Sequence, residues 1–215
     1  MLASVNVLDA KSLVSSFGEV GVLVALFVET GLLVGFFLPG DSLLFVAGFA
    51  AAGKVAGVSL SLGLLLVLAA VGAILGAQTG FLIGRRAGRP LVERPDSRLF
   101  KTRYVTRTEA YLERFGTGKA VVIARFVPVV RTFTNPLVGI SDISTRDFAV
   151  WNVVGGVAWT SSVVLAGYFL GSVPFVSRHL ELLIVAIVVV SVVPLAVETV
   201  RHRRGQPASG RGARP

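Results

Sequence analysis

The sequence predicts an all-α polytopic membrane protein: two inverted re-entrant hairpins, each followed by a transmembrane helix, plus a C-terminal transmembrane helix. Three observations predict it. Of 215 residues, 53% are hydrophobic and only 15% charged, whereas a soluble domain carries about a quarter charged. Several apolar runs approach or exceed the ~20 residues needed to cross a hydrocarbon core, and they are continuous rather than alternating, which selects helices over a barrel. Two of these stretches are also broken by proline and carry two charges each. Glu29 and Asp41 flank Pro39-Gly40; Arg125 and Arg131 flank Pro128.

The composition also excludes several chemistries. There is no cysteine, so disulfides and thiol catalysis are absent, and with only His179 and His202 a histidine metal centre is not expected. No cofactor is implied. The net charge of +9 does not indicate nucleic acid, because the basic residues cluster between Arg85 and Lys119 and again from Arg201 to Arg214. That is the positive-inside pattern of cytoplasmic segments. Met1 to Lys11 lacks a basic n-region and an A-x-A cleavage site, so no removable signal peptide is expected.

Taken in order, residues 9–17 read as a short amphipathic helix at the interface, with Leu13, Val14 and Phe17 on one face. An ordinary polar lead-in reads equally well. Residues 15–57 form the first candidate hairpin. Val20 to Leu38 is apolar except for Glu29, Pro39-Gly40 stops any helix, and Ser42 to Ala52 is too short to cross alone. One long helix kinked at Pro39 is the alternative. Residues 59–84 are a full span, with Gly63, Gly72, Gly76 and Gly80 spaced for close helix packing. The basic loop, 85–119, holds an amphipathic helix over 101–115 whose Lys and Arg face suits anionic membrane lipids. Residues 120–146 carry Arg125, Pro128, Arg131, Asn135 and Pro136; 147–171 and 180–198 are spans; 199–215 is a disordered basic tail.

Parity then constrains the topology. The basic residues put 85–119 and the tail on one side, so 180–198 enters that side and 147–171 leaves it. Residues 120–146 must therefore depart and return. Twenty-odd apolar residues at 1.5 Å each do not cross twice, so they form a re-entrant hairpin. If 15–57 is its counterpart, it enters from the opposite side, and the halves form an inverted repeat of the kind that builds midplane binding sites. A kinked single span with the N-terminus inside also satisfies parity.

The charges are the candidate site. One charge near a bilayer centre costs about 3 kcal/mol on lenient scales, so four unpaired ones would cost about 10 kcal/mol. They persist where they pair or line a wet cavity. Arg125 and Arg131 lie about 240° apart on a regular helix, but Pro128 disfavours helical geometry at Val127 and can re-aim one of them. Arginine suits phosphate through its planar, always-charged fork. A buried carboxylate suits proton coupling because desolvation favours its neutral form. The alternative is a set of internal ion pairs that hold the hairpins together. Gln78, Asn152 and Thr160 read first as interhelical hydrogen bonders, Asp142 and Asp147 as caps, and Trp151 and Trp159 as anchors or core.

At these residues the sequence resembles the DedA family, also called the VTT or SNARE-associated-domain family. The matching pieces are Glu29-Thr-Gly, Leu38-Pro-Gly-Asp-Ser42, Gly84-Arg-Arg-Ala-Gly88, Arg94-Pro-Asp-Ser-Arg-Leu-Phe100, Arg125-Phe-Val-Pro-Val-Val-Arg-Thr132 and Asn152-Val-Val-Gly-Gly156. Coverage runs from about residue 15 to 198. Thr134-Asn-Pro-Leu-Val-Gly139 departs from the pattern, since relatives often read Ala-Pro without an Asn. The resemblance implies two facing re-entrant hairpins in a bacterial cytoplasmic membrane and a proton-coupled flippase for undecaprenyl phosphate rather than an enzyme. Arg125, Arg131, Thr132 and Asn135 would then contact the lipid phosphate, and Glu29 and Asp41 would couple protons. A less selective phospholipid scramblase and a structural envelope-homeostasis protein are the rival expectations. A lipid phosphatase is disfavoured by the absence of a histidine or metal cluster at the site. The sequence leaves a homo-oligomer open.

Overall fold

A computed structural model describes residues 10–32, 40–92 apart from 56, 114–141, 143–171 and 173. Every regular element among them is helical: α1 (Ala10–Gly31), α2 (Gly40–Ala51), α3 (Leu62–Val92), α4 (Thr117–Ala124), α5 (Pro128–Ile140) and α6 (Thr145–Leu170). The expected helix over 101–115 falls outside the described residues except at its end, and the span 180–198 and the tail 199–215 fall outside them entirely.

Two of these helices are long and apolar enough to cross a membrane, Leu62–Arg86 within α3 and Thr145–Leu170. Their outward faces carry exposed Leu64, Val67, Leu75, Val150, Val153 and Val157, as lipid-facing helices require. α3 runs on through Arg85 and Arg86 to Val92, past the point at which the sequence placed the start of the loop. Arginine and alanine are good helix formers, so charge alone does not end the helix. Arg85 instead donates to the Ile143 carbonyl at 2.7 Å and to Thr145 Oγ1 at 3.2 Å, tying the end of α3 to the start of α6.

The remaining helices are short. α1 breaks at Gly18, whose φ of 56° and ψ of −145° only glycine adopts readily. The break separates a helical piece ending at Phe17 from an arm ending at Gly31. That arm, α2 and α5 are each about 20 Å long or less at 1.5 Å per residue, against a hydrocarbon core of about 30 Å. Pro128 opens α5 at its first turn, and Val127 before it is extended at φ −109° and ψ 106°, the geometry proline imposes on its predecessor. Arg125 therefore caps the C-terminal end of α4 while Arg131 sits in the first turn of α5.

Packing relates the halves reciprocally. The first arms, α1 and α4, pack on the long helix of their own half, α3 and α6 respectively; the second arms, α2 and α5, pack on the long helix of the other half. Small residues set the contact distances. A Cβ at Gly76 would lie 2.6 Å from the Phe27 carbonyl oxygen of α1, whereas one at Gly63 meets nothing within 4 Å. Gly76→Ala is therefore expected to lower stability by about 1–3 kcal/mol, and Gly63→Ala to leave it unchanged or slightly raised. Thermal unfolding in detergent checks both. The core joins Val22 and Leu26 of α1, Leu43 and Leu44 of α2, Leu65 and Ala69 of α3, and Trp159 and Val164 of α6.

Candidate functional site

The ends of the short helices meet in the interior. Glu29 lies in the last turn of α1 and Asp41 in the first turn of α2, where a carboxylate favours the helix dipole. Arg131 reaches both. Its Nη2 donates to Glu29 Oε1 at 2.6 Å, and its Nη1 donates to Asp41 Oδ1 at 2.9 Å. Arg131 and Glu29 are 5% and 4% exposed, so water screens this attraction little. A Cβ on Gly40 would overlap Glu29 Oε2, so the glycine after Pro39 makes room for the carboxylate.

Trp159 completes this clasp. The Arg131 guanidinium carbon lies 4.2 Å from the indole centroid, and the indole N–H donates to Asp41 Oδ1 at 3.1 Å. One side chain thus stacks on the cation and fixes one of its anions. Its role was not read from the sequence. The available signal is spacing: Asn152, Gly155, Gly156 and Trp159 recur at i, i+3, i+4 and i+7, one face of α6.

Arg125 stands apart. It is 3% exposed, and no carboxylate among the described residues pairs with it. Its Nη2 donates to Asn152 Oδ1, and its Nε and Nη1 have no hydrogen-bond partner among the described residues. The four charges sum to zero but are unevenly shared. The Arg131 clasp holds one cation and two anions, and Arg125 is a lone cation.

The other expected residues divide. Asn135 donates to the Thr30 carbonyl at 3.1 Å, satisfying a backbone acceptor at the end of α1 and bracing α5 against it. The side chain of Thr132 lies outside the described residues. Asp147 closes a cap, with its N–H donating to Ser144 Oγ at 3.0 Å. Thr160 returns its hydroxyl to the Gly156 carbonyl at 2.8 Å. No group of three or more potential metal ligands occurs among the described residues.

The family model of the VTT domain matches residues 38–169. The chain belongs to the VTT-domain family, the DedA family of membrane proteins. It is 43% identical over 168 residues to "Protein DedA" of Escherichia coli strain K12, covering 78% of this chain and 75% of that protein. Identity to the "Uncharacterized membrane protein Rv0364" of Mycobacterium tuberculosis strain H37Rv is 45% over 175 residues, or 80% of this chain and 76% of the relative. To the "Inner membrane protein YghB" of E. coli K12 it is 35% over 143 residues, covering 66% and 63%. No solved structure matches. The VTT match takes in Asp41, Arg125, Arg131, Asn152 and Trp159 and leaves Glu29 just outside its N-terminal limit.

Proposed function

We propose that this DedA-family protein carries a lipid phosphate, with undecaprenyl phosphate the favoured substrate, across the bacterial cytoplasmic membrane in exchange with protons. The observation that carries the reading is Arg125: a buried guanidinium that, among the described residues, has no counter-charge and leaves Nε and Nη1 unengaged. Leaving such a charge unpaired costs several kcal/mol, and an anionic head group relieves that cost. Glu29 and Asp41 take protons; when they are neutral, Arg131 is freed to join Arg125 on the phosphate. The reciprocal packing of short arms on long helices supports two inverted hairpins that rock about this site. The basic loop and C-terminal tail then face the cytoplasm, and the loop's basic face rests on anionic lipid.

The test is a flip assay in liposomes comparing undecaprenyl phosphate with ordinary phospholipids. Wild type is expected to move the lipid phosphate selectively and Arg125→Ala to slow it by about a hundredfold, the scale on which losing one desolvated charge contact falls. Equal movement of all lipids by both proteins would replace this reading with the scramblase. The Arg131 clasp favours a second reading, in which the charges only hold the hairpins together.

A further inference from the structure

Asn152 lies on α6 opposite α3, and its amide is fully committed. Its Nδ2 donates to the Ile74 carbonyl at 3.0 Å and reaches Gln78 Oε1 at 3.4 Å. That leaves Oδ1 facing Arg125, where it accepts from Nη2. Gly155 and Gly156 form the floor beneath the arginine: a Cβ on Gly155 would lie 2.9 Å from Arg125 Cδ, and one on Gly156 would lie 3.5 Å from Nη1. Every group that holds Arg125 among the described residues is thus neutral. The nearby charge acting on it is the like charge of Arg131.

We propose that Asn152, oriented by Gln78 and the Ile74 carbonyl, is the specificity-determining positioning residue of the anion site: it fixes the Arg125 guanidinium without neutralising it, so that a phosphate monoester supplies the missing charge. A buried arginine that needed only a structural partner would be served better by a carboxylate, which pairs with it in bidentate fashion. The amide has nearly the shape of Asp; it differs in carrying no charge and in the donors that Nδ2 gives to α3. Asn152 is therefore what keeps the site selective for anions. This deepens the lipid-phosphate reading and rests on it for the identity of the lipid.

The experiment uses the full chain in detergent with farnesyl phosphate as probe and inorganic phosphate in a parallel arm. Thermal shift and equilibrium binding are read for wild type, Asn152→Asp and Gln78→Glu. Asn152→Asp gives Arg125 a counter-charge but loses the donors to the Ile74 carbonyl and Gln78 Oε1, so it is expected to melt near the wild-type temperature without probe. It is expected to bind the probe at least about tenfold more weakly. Gln78→Glu, one hydrogen bond further out, is expected to show a smaller loss of the same kind, and it decides the matter if Asn152→Asp does not fold. A stronger shift with farnesyl phosphate than with inorganic phosphate assigns the site to a lipid head group, and equal shifts assign it to the phosphate group itself; either supports the inference when the Asp variant abolishes them. Probe binding by Asn152→Asp equal to wild type overturns it, as does absence of any wild-type shift in both arms. Wild type that binds the probe but does not flip lipid in liposomes overturns the transport reading alone.

Discussion

Arg131→Ala is expected to abolish lipid-phosphate transport and to lower stability by about 3–5 kcal/mol, the cost of stripping the partner from a buried ion pair. The loss is large because Glu29 and Asp41 would be left facing each other without the cation that now bonds both at 2.6 and 2.9 Å. Thermal unfolding in detergent and the liposome assay read the two effects separately. The double variant Glu29→Arg with Arg131→Glu separates two roles of the same contact. It restores a pair of opposite charges and is expected to recover stability while transport stays lost, because the guanidinium has moved to α1. Recovered transport would mean that the clasp only joins α1, α2 and α5.

Replacing Trp159 by Ala should cost about 3–5 kcal/mol, the range for deleting a large buried aromatic, here 2% exposed. Trp159→Phe should cost about 1 kcal/mol plus a small packing loss. It keeps a ring face for Arg131 and loses the N–H bond to Asp41. Unfolding of both variants checks this. Equal losses would assign the effect to the indole N–H rather than to the ring. The indole stacks on Arg131, while Arg125 bonds to Asn152, so Trp159→Phe acts on the clasp.

Much of this was legible in one dimension because lipid imposes simple rules. Long uncharged runs must be helices, so α3 and α6 could be read from composition. Proline fixes its own backbone and constrains its predecessor, so the break at Val127 could be read from Pro128. Charges are costly in hydrocarbon, so Glu29, Asp41, Arg125 and Arg131 stood out by type alone. Helix ends were less legible: α3 passes Arg85 and Arg86 because arginine is a good helix former, and the Arg85 guanidinium finds its partners at Ile143 and Thr145, distant in sequence.

The sequence by itself determined that the chain is a helical membrane protein with four misplaced charges beside backbone breaks. Only the tertiary structure decided how those charges are shared. Pairing depends on which helix ends converge, and α1, α2 and α5 bring two carboxylates to Arg131 while α4 turns Arg125 toward α6. Trp159 and Asn152 enter the site for the same reason. An indole and an amide are ordinary in an apolar helix until folding sets a guanidinium against each of them.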